Sequence, residues 1–179
     1  MTEEKLMEAV KHGDLKKASA IFDLYHKRMY NFFVKITLDR ELGHDLTQNL
    51  FLRLIKYRGS YKEGMKFQSW FFQMARNVYA DHFRKTKFMY SDFTDIERLG
   101  EYTHGNDEEN EQTEREKLLY RSLGKLDEED RELLVLSRFQ KLKYEEISQV
   151  MDISVANVKV KVHRAIKKLR DNYFQLEKC

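Results

Sequence analysis

Proline is absent from all 179 residues, and the chain holds only seven glycines and a single cysteine. Proline's ring breaks helix interiors and removes a donor, so its absence permits long helices without demanding them. The cysteine, Cys179, is the last residue, which excludes a disulfide framework and a cysteine-based zinc site. The longest unbroken aliphatic run is Leu133 to Leu136, far short of the roughly 20 residues that span a bilayer. The opening residues, MTEEKLMEAVKHGD, mix both charges, the reverse of a secretory leader, so a cytoplasmic location without membrane contact is expected. No G-x-x-x-x-G-K-[ST], G-x-G-x-x-G or H-E-x-x-H occurs. The reading is therefore of a protein that is not an enzyme and has no cofactor, catalytic residue or metal ligand.

What the chain does have is apolar and charged in unequal blocks. Hydrophobic residues make up 41%, with twelve Phe and ten Tyr, enough to build a core. The net charge of +3 is a cancellation. Residues 1–90 carry 17 Lys and Arg against 10 Asp and Glu, residues 91–116 carry 2 against 10, and residues 117–179 carry 14 against 10. Two basic blocks around an acidic one suit two nucleic-acid-facing modules on a solvated tether, although acidic linkers also occur simply because they stay in water.

Apolar spacing is helical throughout, with no sustained alternation of period two. Leu15, Ala18, Phe22, Tyr25, Met29, Phe32 and Ile36 step by three and four behind a candidate Asp14 cap. Leu42, Leu46, Leu50 and Leu54 step by four, and Phe67, Trp70, Phe71, Met74 and Val78 form a third stripe. Helices are expected near 2–11, 15–38, 40–57, 67–89, 114–123, 127–139, 144–151 and 155–174. The fold class is all-α, two small helical domains joined by a flexible acidic linker: 1–90, the linker 91–116, and 117–179.

The stretch from Lys143 to Arg170 reads as helix, turn, helix, with Asp152-Ile153-Ser154 as the turn and Ser154 as the second helix's cap. At 100° per residue, Val158, Val162, Ala165 and Leu169 share an inward face within about 40°. Ala156, Val160, His163 and Lys167 lie opposite, with Asn157, Lys159 and Arg164 along the sides. From Val155 to Arg170 there are six Lys and Arg and no acid, a cationic rod with an apolar back that suits a DNA major groove. Solvated amphipathic helices share this pattern in part. Val160, apolar at the centre of the outward face, fits a thymine methyl.

Lys66-Phe67-Gln68-Ser69-Trp70-Phe71-Phe72 packs four aromatics into seven residues, more than one helical face absorbs, and Phe72 points well off the stripe. Arg76, Asn77, Arg84, Lys85 and Lys87 follow. Aromatics beside cations hold single strands by stacking and by tracking phosphates, while each ring taken alone also suits a core. On the Leu42–Leu54 helix, Asp45, Gln48, Asn49 and Arg53 form an outward polar strip.

Taken in order, these motifs resemble the extracytoplasmic function sigma factors, the smallest class of the sigma-seventy family of bacterial transcription initiation factors. Asp45-Leu46-Thr47-Gln48-Asn49-Leu50-Phe51 resembles the family's D-L-V-Q-E-x-F, and Phe67-Gln68-Ser69-Trp70-Phe71 with Ala75-Arg76-Asn77 and Asp81 resembles F-x-x-W-L…A-R-N…D. Leu126-Asp127-Glu128 stands for L-P-E, followed by Tyr144-Glu145-Glu146-Ile147 and Val158-Lys159 through Arg164-Ala165. The resemblance implies that Asp45, Gln48, Asn49 and Phe51 bind the clamp helices of core RNA polymerase, and that the last module's leading helices dock on its flap. It implies that the loop Gly59–Met65 with Lys66, Phe67, Trp70, Phe71, Arg76, Asn77 and Arg84 holds the melted minus-ten strand. It also implies that Asn157, Lys159, Val160, Lys161, His163, Arg164 and Lys167 read the minus-thirty-five duplex through a helix-turn-helix without a wing. An anti-sigma factor is a further partner of such proteins. The rival expectation is a helix-turn-helix regulator that binds duplex DNA and never joins polymerase. His44, Asn49, Phe71, Asp127, Lys143, Ser148 and Val160 depart from the family pattern, and without the proline of L-P-E the helix after Asp127 must begin by other means.

Overall fold

A computed structural model describes residues 1–89 and 113–178, so most of the expected acidic tether lies outside the described residues. Eight α-helices account for nearly everything described, and no strand occurs among the described residues. Helix α1 spans Glu3–Lys11, α2 Lys16–Thr37, α3 Arg40–Lys56 and α4 Phe67–Met89. From residue 113 onward come α5 Glu114–Gly124, α6 Glu128–Leu134, α7 Tyr144–Met151 and α8 Val155–Glu177.

Local chemistry sets most of these boundaries. The Thr2 hydroxyl accepts from the Lys5 N–H (3.4 Å) and the Asp39 carboxylate from the Leu42 N–H (3.0 Å), each satisfying a donor that a helix start leaves orphaned. Asp14 does not cap α2: its backbone carbonyl, not its side chain, accepts from Lys17 (3.1 Å), and the helix begins after Leu15 with no side-chain cap. The missing proline at the start of α6 is answered by Asp127, whose carboxylate accepts from the Asp130 N–H at 2.8 Å. At α7 the lysine cannot accept, but Glu146 accepts from the Lys143 N–H (2.8 Å). The expected single helix over 127–139 is α6 followed by a π-helical turn, Val135–Phe139.

Helices α1–α4 wrap the larger core. Met7, Val10, Met29, Phe32, Phe33, Leu50, Phe67, Phe71, Phe72 and Val78 have no exposed surface. The stripe assigned to α2 is right from Tyr25 to Ile36 but not at its start: Leu15 is 49% exposed and Phe22 45%. Gly43 sits where α3 crosses α2; a Cβ there would come within 2.6 Å of Val34 Cγ2, so only glycine permits this approach.

Helices α5–α8 do not stand apart from the first four. Leu133, Leu136, Leu142, Ile147, Val150, Val158 and Val162 belong to the same apolar cluster as Phe32, Phe72 and Met7. Helix α7 lies along α4, and the π-helical turn lies against α2. This explains Phe72: it leaves the α4 stripe to meet Phe32 edge-on (centroids 5.3 Å apart) beneath the Arg28 guanidinium. Burying such a ring stabilises by about 1.5–3 kcal/mol.

Candidate nucleic-acid interface

Helix α8 is positioned from behind. Val158, Val162 and Ala165 are buried, as the 100° projection required. Asp152 adopts a left-handed conformation (φ 54°), the Ser148 hydroxyl donates to the Ile153 carbonyl (2.5 Å), and Ser154 Oγ accepts from the Asn157 N–H (3.1 Å). These bonds fix the angle at which α8 leaves α7. Lys168 anchors its far end to α6, 2.5 Å from Asp130 and 3.7 Å from Asp127. The Asp130 hydrogen bond, and then its charge, raise the Lys168 pKa, while the Asp130 N–H holds the Asp127 carboxyl below the usual aspartate range.

Asn157, Lys159, Val160, His163, Arg164 and Lys167 are exposed along one side of α8, and Val160 keeps 48% of its surface in water. Lys161 differs: it is half-buried and closely paired with Glu129. The strip is otherwise cationic, open and rigidly backed, which is the arrangement a helix needs to enter a major groove.

On α4 the picture divides. Phe67 and Phe71 are fully buried, stacked on one another at 5.1 Å, and Trp70 keeps only 7% of its surface, edge-on to Tyr61 at 5.2 Å. Their faces are spent on the core in this arrangement, so they shape the site from beneath. Tyr61 donates to the Met65 carbonyl (2.6 Å), closing the loop before α4, and burial pushes its pKa up to about 12. Lys66, Asn77 and Arg84 are exposed. Arg84 stands 3.6 Å from Asp81, which also pairs with Arg53 at 2.7 Å. Arg76 points its Nε and Nη2 at the two carboxylate oxygens of Glu132 and donates through Nη1 to the Val150 carbonyl (3.2 Å). Burial raises the Glu132 pKa, and the Arg76 hydrogen bond opposes that rise.

Asp45, Gln48 and Asn49 are exposed on α3, whereas Phe51 is half-buried between Phe22 (4.9 Å) and Phe71 (5.5 Å). Two apolar neighbours escaped the sequence reading: Phe22, and Leu52 at 71% exposure. Leu52 carried a signal, since at 100° per residue it falls opposite the inward ladder of Leu50 and Leu54. Arg53 ties the strip to α4 through Asn49 (3.2 Å) and Asp81.

Among the described residues no three His, Cys, Asp or Glu side chains gather where they could hold a metal ion, and no helix is long and apolar enough to cross a membrane.

Two family models match in order along the chain: Sigma-70 region 2 over residues 21–88 and Sigma-70, region 4, over residues 116–169. The ECF RNA polymerase sigma factor SigM of Bacillus subtilis is 32% identical over 154 residues, covering 86% of this chain and 93% of SigM. The RNA polymerase sigma factor CarQ of Myxococcus xanthus is 27% identical, covering 96% and 97%. Among solved structures, CnrH in complex with the cytosolic domain of CnrY superposes with a TM-score of 0.72 at 19% identity, over 94% of this chain and 95% of CnrH. The sigma factor RpoE bound to the anti-sigma factor NepR from Bartonella quintana superposes at 0.71 and 18% identity, over 86% and 94%. These superpositions establish the all-helical fold.

Proposed function

From the premise that the chain belongs to the ECF RNA polymerase sigma factors of the sigma-70 family, we propose how its own residues carry promoter recognition. Sigma factors bind core RNA polymerase and promoter DNA. Here Asp45, Gln48, Asn49 and Phe51 meet the polymerase clamp, and the exposed Phe22 and Leu52 beside them supply the apolar part of that contact. The same mixed surface suits an anti-sigma protein, which makes the two partners competitors. The observation that carries the reading is α8, an exposed cationic strip set on a buried Val158–Val162–Ala165 back. Asn157, Lys159, Val160, Lys161, His163, Arg164 and Lys167 read the minus-thirty-five duplex from it.

The chain divides by role into 1–90, the acidic 91–116 and 117–179. Lys66, Arg76, Asn77 and Arg84 track the phosphates of the melted minus-ten strand, and Phe67, Trp70 and Phe71 hold the helix that presents them. Strand capture is non-enzymatic: a surface that binds unpaired DNA and not duplex shifts the equilibrium toward the bubble by its differential affinity alone. The protein works in the cytoplasm, where polymerase and promoter are. Selecting promoters from a random library with core polymerase tests this. One shared pair of elements, lost when Asp45, Gln48 and Asn49 are replaced by alanine, is expected. Enrichment of duplex sites that is indifferent to polymerase supports a regulator that never joins it.

A further inference from the structure

A cavity lies on the side of α2 turned away from Phe22. Leu24, Lys27, Arg28, Asn31 and Lys35 line it from α2, and Phe139 and Gln140 line it from the end of the π-helical turn. At 100° per residue the five α2 positions fall within about 100° of arc centred opposite Phe22. Its volume is about 370 Å³, inside the range of about 300–1,000 Å³ usual for small-molecule sites.

Three cations face this cavity, and among the described residues no carboxylate pairs with any of them. Lys27 and Asn31 are exposed, while Arg28 and Lys35 are half-buried. Burial lowers the Lys35 pKa, and no neighbouring acid offsets it. Burying a charge without a partner costs stability, so a site that needed only packing would carry an apolar side chain here. Arg28 is already set in place. Its Nε donates to Gln140 Oε1 (3.1 Å), its Nη2 donates to the Gln140 carbonyl (2.7 Å), and the guanidinium lies over the Phe72 ring at 5.3 Å. Lys35 stands over the Phe139 ring at 5.2 Å. Both cations are held, and neither is neutralised.

The facing wall is built on irregular backbone. The Gln140 N–H donates to the Val135 carbonyl (2.8 Å), the five-residue step of a π-turn, and Lys141 follows in the left-handed region (φ 57°). Turns of this kind are rare and gather at functional sites, and a non-glycine residue held at positive φ costs about 1 kcal/mol or more.

We propose that this cavity is a binding site for an organic phosphate of nucleotide size. Lys27, Arg28 and Lys35 take the phosphate oxygens through charge-assisted hydrogen bonds. Leu24 and Phe139 supply apolar surface for the organic part. The Asn31 carboxamide, both donor and acceptor, suits the mixed edge of a heterocyclic base. The ligand is bound and not cleaved. The site shares no residue with the surfaces assigned to promoter and polymerase, so it stands independently of the sigma-factor reading.

The test is calorimetric titration of the full chain with ATP, GTP, pyrophosphate and inorganic phosphate, without magnesium and at about 0.15 M salt. A nucleotide is expected to bind more tightly than pyrophosphate, which lacks the organic part, and to move the side-chain amide NMR signals of Asn31 and Gln140. Lys35→Gln is expected to weaken the nucleotide about tenfold, the exposed Lys27→Gln less, and Lys35→Arg is expected to retain it. Far-UV circular dichroism and duplex DNA affinity should be unchanged in Lys35→Gln, which shows that it folds. Polyanions also meet the cations of α8, so the doubly substituted Lys159→Ala, Arg164→Ala chain is the control and should bind nucleotide as the parent does. Nucleotide binding that survives Lys27→Gln and Lys35→Gln together, or that disappears in the α8 control, overturns the proposal. So does the absence of nucleotide binding at millimolar concentration. Equal affinity for pyrophosphate and both nucleotides overturns the organic part of the assignment.

Discussion

The Asp127 carboxylate accepts a hydrogen bond from the Asp130 backbone N–H at 2.8 Å, and one turn of charge follows it at Glu128, Glu129 and Asp130. Asp127 thereby does the work of the proline that the family pattern has at this place: it starts α6. Asp127→Ala is expected to cost about 1 kcal/mol of stability, and Asp127→Asn, a comparable cap, only a few tenths. The bond favours the ionised carboxyl, so its folded-state pKa is depressed. That contribution is present above the ordinary aspartate value and lost as pH falls through the depressed one. Urea titrations at neutral and acidic pH check both points; the parent should lose stability on acidification more steeply than Asp127→Asn.

Gly43→Ala tests the α2–α3 crossing. Alanine is the better helix former by about 1 kcal/mol, yet its Cβ would lie 2.6 Å from Val34 Cγ2, on a stiff β-branched side chain. Overpacking is expected to win, with a net loss of about 1–2 kcal/mol. The double variant with Val34→Ala should recover part of it, a coupling that a double-mutant cycle in urea reads directly.

Tyr61→Phe keeps the buried ring and removes only the bond to the Met65 carbonyl. A loss of about 1 kcal/mol is expected, together with weaker binding of single-stranded minus-ten DNA and unchanged duplex binding through α8. In the parent, burial pushes both Tyr61 and Tyr79 up to about 12, so spectrophotometric titration of the variant should show a smaller ionisation step near pH 12, with the Tyr79 part remaining.

On α8, Lys159→Ala and Arg164→Ala should each lower the salt dependence of duplex binding by about one phosphate contact. Val160→Ser should leave that slope alone and reduce the preference for thymine at a single promoter position. Promoter selection at two salt concentrations separates these effects; a Val160→Ser preference identical to the parent's at every position contradicts the methyl contact.

Much of this molecule is legible in its sequence because helices announce themselves locally. The Leu46–Leu50–Leu54 ladder, the Val158–Val162–Ala165 back and the Ser154 cap each need only their own few residues to be read. What escaped was longer in range. Leu133, Leu136, Ile147 and Val150 share one apolar cluster with Phe72, and nothing in their spacing tells it. Arg76 and Glu132 lie 56 residues apart on either side of the tether, so their pairing leaves no periodic trace. Phe22 fits the inward stripe by number, yet it is 45% exposed and its ring lies against Phe51 and His26. The aromatic cluster of α4 was readable as a cluster, but only the packing decides that Phe67 and Phe71 turn inward.

The most direct test of the central claim is transcription from a supercoiled template that carries a selected promoter, with purified core polymerase and the full chain. The account expects promoter-specific initiation, abolished when Asp45, Gln48 and Asn49 are replaced together. Tight duplex binding by the chain with no initiation above core polymerase alone would contradict it.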